Sequence, residues 1–268
     1  MLSDRLRLDE VKLTERAIRV LDTVAWGRPV IQRLRDAGGF AAENKSRMFE
    51  VRVAYELHLA GAVARYEYRT GEGELSVDFY VSDEPPWLIE VLSLGKSEGM
   101  RRATHQDGPF TVLSVGDDAS DPKQTEVGEL LTTQGKIAEK ALKFSLPSTA
   151  RHAILVDTRA YLDNGGDRYD ARELVYGWAG LPRDVWRFVG HVWEGKPVKG
   201  LLDPGVPLRD ALALQERVHF IGFVSERRYN EGEIRDEAYY LGNWHLFATQ
   251  EAVREAFRNY PLRTRSNT

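Results

Sequence analysis

The sequence predicts an α/β protein with a central mixed sheet flanked by helices. Three observations lead there. Apolar residues recur at three and four residue steps in some segments and alternate in others, so helical and extended runs follow one another along the chain. The run Trp87 to Leu94 is apolar throughout except for Glu90 and Ser93, the mark of a strand buried on both faces. The 268 residues, 42% hydrophobic and 10% aromatic, are enough to bury a full core.

The elements can be taken in order. Leu8, Val11, Leu13, Ala17, Val20, Leu21 and Val24 form a helical stripe. Trp26-Gly27-Arg28-Pro29 interrupts it, and Val30 to Ala37 resumes as a second short helix. Residues 1–42 are therefore a helical preface. The stripe of Phe49, Val53, Ala54, Leu57 and Ala60 marks a helix that Gly61 stops, with Arg47, Arg52 and Glu56 on its solvated side and Ser46 as candidate cap. Ala62 to Thr70, Glu74 to Val81 and Trp87 to Leu94 are extended runs separated by Gly71-Glu72-Gly73 and Asp83-Glu84-Pro85-Pro86, which suits an antiparallel meander. The polar segment from Gly95 to Asp121 holds one strand at Phe110 to Val115 or forms a flap. Val127, Leu130, Leu131, Ile137, Ala138, Ala141 and Phe144 give a further helix, and Arg151 to Thr158 a buried strand. A core over residues 43–165 and a C-terminal elaboration over 166–268 follow. The latter has strand-like runs at Val218 to Val224 and Ala238 to Phe247.

Three carboxylates stand where this patterning calls for apolar or half-buried residues. Glu50 falls inside its helical stripe, Asp78 lies between Val77 and Phe79, and Glu90 shares a strand face with Leu88 and Leu92. A carboxylate in an apolar interior is costly unless something pairs with it. Pairing the second and third strands sets Asp78 beside Glu90, and like charges that close repel unless a cation or proton lies between them. For Glu50 alone, a first-turn acid complementing the helix dipole remains the competing reading.

The order of a helix with Glu50, Val77-Asp78-Phe79, and Ile89-Glu90-Val91 twelve residues after the Asp resembles the core of the PD-(D/E)XK, or restriction-endonuclease-like, nuclease superfamily. It spans roughly a third of the chain on a short, degenerate motif. The resemblance implies a restriction-endonuclease-like core in which Asp78 and Glu90 bind Mg²⁺ or Mn²⁺ and Glu50 supports them. The expected activity is hydrolysis of nucleic-acid phosphodiesters. Gln134, inside the stripe of the following helix, resembles a polar residue that the family places near the metal or phosphate. The departure is at the position two after Glu90, where the family's lysine gives way to Leu92, while Val77 replaces the proline. Lys96, Lys136 and Lys140 are the candidates to supply the charge, against their reading as solvated helix or loop residues. Leu92 also favours an alternative, a catalytically inactive module of the same fold that binds nucleic acid or a protein partner. A purely structural role, with the three acids satisfying backbone and arginine donors, is a third.

Other classes lose ground. A net charge of −4 argues mildly against a stable nucleic-acid binder, although Arg101-Arg102, Arg183 with Arg187, and Arg227-Arg228 are local basic pairs. No cysteine is present, which removes disulfide and thiolate chemistry. His191, His219 and His245 are isolated, so a zinc site is not expected. Tyr176, Trp178, Trp186, Phe188 and Trp193 read as core. No nucleotide-binding or serine-hydrolase motif occurs. No apolar run reaches the length of a membrane span, the N-terminus lacks a signal-peptide layout, and a cytoplasmic location is the expectation.

Overall fold

The structure, a computed structural model, describes residues 6–71, 73–95, 104–107, 110–113, 126–147, 149–160, 168–178, 199–225 and 229–263. Its helices are α1 (Leu8–Leu21), α2 (Arg28–Asp36), α3 (Lys45–Leu59), α4 (Glu126–Lys140), α5 (Arg168–Tyr176), α6 (Ala211–Arg217), α7 (Glu233–Glu237) and α8 (Gln250–Phe257). The strands are β1 (Ala64–Arg69), β2 (Ser76–Val81), β3 (Trp87–Gly95), β4 (Thr104–Asp107), β5 (Phe110–Leu113), β6 (Arg151–Ala160), β7 (Phe220–Val224) and β8 (Tyr239–Gly242). Lys96, the three arginine pairs, His191, Trp186, Phe188 and Trp193 lie outside the described residues.

Six strands form one mixed sheet in the order β1-β2-β3-β6-β7-β8. The meander β1-β2-β3 is antiparallel, β3-β6 and β6-β7 are parallel, and β8 closes the far edge antiparallel. A parallel neighbour needs a crossover, and α4 supplies the one from β3 to β6. Two strands from beyond residue 166 thus extend the same sheet. The polar stretch after β3 holds a separate antiparallel pair, β4-β5, where the sequence offers one strand or a flap.

Each sheet face has its own core. Phe79, Trp87, Ile89 and Val91 meet α1, α2 and α3, whereas Leu88, Ile154, Val156 and Ile221 meet α4, α5 and α6. Fully buried side chains such as Trp87, Phe49 and Phe79 contribute about 1.5–3 kcal/mol each. Strand β3 is buried on both faces, as its composition predicts.

Helix α3 departs from its predicted amphipathic form. Every residue from Met48 to Leu57 is buried, including Arg52 and Glu56, which the stripe assigns to solvent. The sheet covers one side, and α1, α2 and the 229–237 segment cover the other. Arg52 meets Glu10 at 3.1 Å, and Glu56 accepts from Gly232 N and Arg235 Nε, both at 2.7 Å. The helix begins at Lys45 after a 3₁₀ turn at Ala42–Asn44, so Ser46 is not its cap. That start places Glu50 beyond the first turn. Gly61, with φ +80°, takes the left-handed position after the helix.

Candidate functional site

The site lies where β2 and β3 stop pairing. Their registered pairs are Val81 with Trp87, Tyr80 with Leu88 and Phe79 with Ile89, and one further step would set Asp78 opposite Glu90. The ladder ends there instead, and Asp78 Oδ2 accepts the Val91 N–H at 2.7 Å. The side chain takes the place of a strand carbonyl, so the two strands part around it. Val77 and Phe79, on either side of Asp78, pack in opposite cores, and so do Tyr66 and Tyr68 in β1. The residue between the two tyrosines is Glu67, in a left-handed conformation at φ +51°.

This change of face turns Tyr66 toward α3, where its hydroxyl donates to Glu50 Oε2. Arg47, one turn earlier on the helix, donates to Glu50 Oε1 at 2.6 Å. Burial and the neighbouring Asp78 charge raise the Glu50 carboxyl above its ordinary range. Tyr66 is raised by burial and by Glu50.

Glu90 is fully buried and faces α4. Lys140 Nζ and Lys143 Nζ both donate to its Oε1, at 2.8 and 2.6 Å, while Oε2 has no hydrogen-bond partner among the described residues. Burial and Asp78 push the Glu90 carboxyl up to about 7, and the two ammonium groups offset only part of that rise. Burial pulls Lys140 down, but Glu90, Asp78 and Glu50 more than compensate, and its net shift is upward. These mutual influences unite Glu50, Asp78, Glu90 and Lys140 in one electrostatic site.

Both lysines reach Glu90 because α4 continues as a 3₁₀ turn at Ala141–Lys143, which keeps residues three apart on one side. Beyond it, Phe144 stacks on His152 at 4.9 Å between ring centroids. Thr70 bonds the Lys143 carbonyl at 2.8 Å and Arg217 bonds that of Phe144 at 2.7 Å. Lys143 is therefore fixed from three directions.

The structure brings Glu50, Asp78, Glu90 and Lys140 together and leaves Gln134 out. Gln134 is buried, as its stripe predicts, but its amide donates to the carbonyls of Leu174 and Lys199 at 3.0 and 2.8 Å. It ties α4 to the C-terminal half of the chain and makes no contact with the carboxylates. Lys136 is half-buried and bonds none of the three acids. His219 is not isolated. Its Nδ1 accepts the His152 N–H at 3.1 Å, and His245 Nε2 lies 2.8 Å from the Leu202 carbonyl.

Lys143, Tyr66, Arg47 and Arg33 are the residues that sequence reasoning misses. Lys143 carries a signal, its three-residue spacing from Lys140. Arg33 carries none, because its contacts are far along the chain: it pairs with Glu67 and lies 6.0 Å from the Tyr66 ring centroid.

Oxygen donors that suit a hard cation are present in Asp78 and Glu90. Among the described residues, no group of three His, Cys, Asp or Glu side chains is arranged to hold a metal ion. The same residues contain no helix long and apolar enough to cross a membrane. Comparison with family models, with curated proteins and with solved structures gives no match to this chain.

Proposed function

We propose that this chain is a magnesium-dependent phosphodiesterase of restriction-endonuclease-like fold that acts on nucleic acid. Asp78 and Glu90 are the ion's ligands, and Lys140 and Lys143 stand in for the lysine absent at position 92. The observation that carries the reading is the pair of ammonium groups on Glu90, delivered by the end of α4 and the 3₁₀ turn that follows it. The order α3, β1-β2-β3, α4, β6 supports it, with one acid on the helix and two on the meander. The unpartnered, buried Oε2 of Glu90 is a position that a cation satisfies. Mg²⁺ commonly takes only one or two protein carboxylates and fills its remaining positions with water and phosphate, so two ligands suffice.

When bound, the ion supplies charge neutralisation at the phosphate and lowers the pKa of a coordinated water. The chain's own residues do the rest. Lys140 and Lys143 present positive charge to the phosphate, preorganised by Glu90 and by the turn that holds them. Asp78 fixes the geometry of the parted strands through Val91. Glu50, bonded to Arg47 and Tyr66, contributes negative charge rather than a free coordinating oxygen.

A second reading, a non-catalytic module of the same fold, is favoured by one observation. Both lysines bond the same Glu90 oxygen, which neutralises the acid without any ion. Melting curves separate the two. Mg²⁺ or Mn²⁺ at a hundredfold excess over Kd stabilises a binding site by about 2.7 kcal/mol, so the wild type should melt higher with either ion and Asp78→Ala should not respond. Metal-dependent cleavage of DNA or RNA should accompany the shift and fall on the order of 10²-fold in Lys140→Ala. A wild type that neither responds to the ions nor cleaves leaves the binding module.

A further inference from the structure

Resting on the nucleic-acid reading above, we propose that Arg33 and Arg47 form a second phosphate subsite. It seats a backbone phosphate next to the one at the carboxylates and makes a polynucleotide strand, rather than a small diester, the preferred ligand. The lysines on Glu90 come from the helix layer on one face of the sheet, whereas Arg33 on α2 and Arg47 on α3 come from the layer on the other. Cations thus flank the carboxylates from both sides.

The arginines are built into place. Arg47 is braced by Glu50 at 2.6 Å, and Tyr66 braces the other oxygen of the same carboxylate. Arg33 is braced by Glu67, whose backbone is left-handed at φ +51° within β1, and it lies against the Tyr66 ring. A non-glycine residue in that conformation is strained, and the surrounding contacts must offset the strain. Yet both side chains stay open to solvent, Arg33 at 35% and Arg47 at 32%, against 7% for Glu50. Braced but accessible guanidinium groups suit the non-bridging oxygens of a phosphate, which a planar fork contacts in pairs. Arg33, Arg47, Lys140 and Lys143 also balance Glu50, Glu67, Asp78 and Glu90 locally. A chain of net charge −4 can therefore hold a polyanion at this one place.

The test is binding of a fluorescein-labelled DNA oligonucleotide, single-stranded and as a duplex, followed by fluorescence anisotropy in EDTA across a range of KCl. Near 0.1 M salt, Arg33→Ala should weaken binding about tenfold and lower the slope of log K against log salt by about 0.9 on the duplex or about 0.7 on the single strand, the effect of one lost phosphate contact. Arg33→Lys should keep the slope and lose only part of the affinity. Glu67→Gln should tighten binding, since it removes the carboxylate that competes for Arg33. Wild-type affinity and slope in Arg33→Ala overturn the inference alone. So does a Glu67→Gln loss equal to that of Arg33→Ala, which makes the pair a structural brace. A wild type that binds neither oligonucleotide overturns the nucleic-acid reading itself, and the subsite with it.

Discussion

Glu50 and Glu56 stand six residues apart on α3, both buried, and are handled in different ways. Glu56 accepts from the Gly232 N–H on one oxygen and from Arg235 on the other, both brought from far along the chain. Glu50 also has a donor on each oxygen, yet its carboxyl is raised by burial and by Asp78. Glu90 carries the contrast further, with two ammonium groups on one oxygen and none on the other. A buried charge serving only as structure meets complementary donors. On the proposed reading, Glu50 and Glu90 are crowded against another charge of their own sign, at a cost in stability that a bound cation would recover.

The largest test of this contrast is a pair of substitutions measured by urea denaturation. Glu56→Ala removes the acceptor that joins α3 to the 229–237 segment and strands Arg235, and should cost about 3–5 kcal/mol. Glu50→Gln loses the ion pair with Arg47 but also the repulsion from Asp78, and should change stability by less than about 1 kcal/mol. Equal losses would mean that Glu50 is as structural as Glu56.

A third way of burying titratable groups sharpens the comparison. Burial lowers His152 to about 4, although its bond with the Arg217 carbonyl pushes the other way. Burial, then His152 and Arg151, lower His219 to about 3. Both rings are neutral in the folded protein at pH 7, and the unfolded chain takes up protons first as pH falls below about 6.5. Stability present at neutral pH is therefore lost on acidification, with each histidine adding a slope that approaches about 1.4 kcal/mol per pH unit. His219→Asn keeps an acceptor for the His152 N–H and removes one titration, so it should roughly halve that added slope in urea melts between pH 7 and 4.5. An unchanged slope would show that His219 titrates alike in both states.

How much of this was legible follows from the range of the contacts involved. Periodicity predicts α3, the meander, α4 and β6, because each element answers to its own neighbours in sequence. The twelve-residue spacing from Asp78 to Glu90 brings the two near each other once Phe79 is paired with Ile89, but it does not predict that the ladder ends at that pair and Asp78 turns to the Val91 N–H. The burial of Arg52 and Glu56 is not predicted, because a helix covered on two sides by remote segments has no solvent face for a stripe to define. Gln134 has the right burial and the wrong partners, since its acceptors lie at Leu174 and Lys199. Arg33 meets the site through Glu67 and the Tyr66 ring, and the left-handed backbone at Glu67 within β1 is something no local pattern announces.

The smallest expected effect comes from restoring the lysine that the motif lacks. Leu92 shares the Glu90 face of β3, is half-buried, and packs against the core beneath α4. Two ammonium groups already sit on Glu90 Oε1, so a third at position 92 meets like charge and partial burial, both of which favour its neutral form. Leu92→Lys in the wild type should therefore change metal-dependent cleavage by less than about tenfold, well below the roughly 10²-fold typical of losing one preorganised stabilising group. The same substitution placed in Lys140→Ala fills a position that has just been emptied, and should recover part of the lost rate. That asymmetry separates recruitment from redundancy. If Leu92→Lys alone raises cleavage as much as Lys140→Ala lowers it, the helix lysines neutralise Glu90 without acting on the phosphate, and the missing charge has never been replaced.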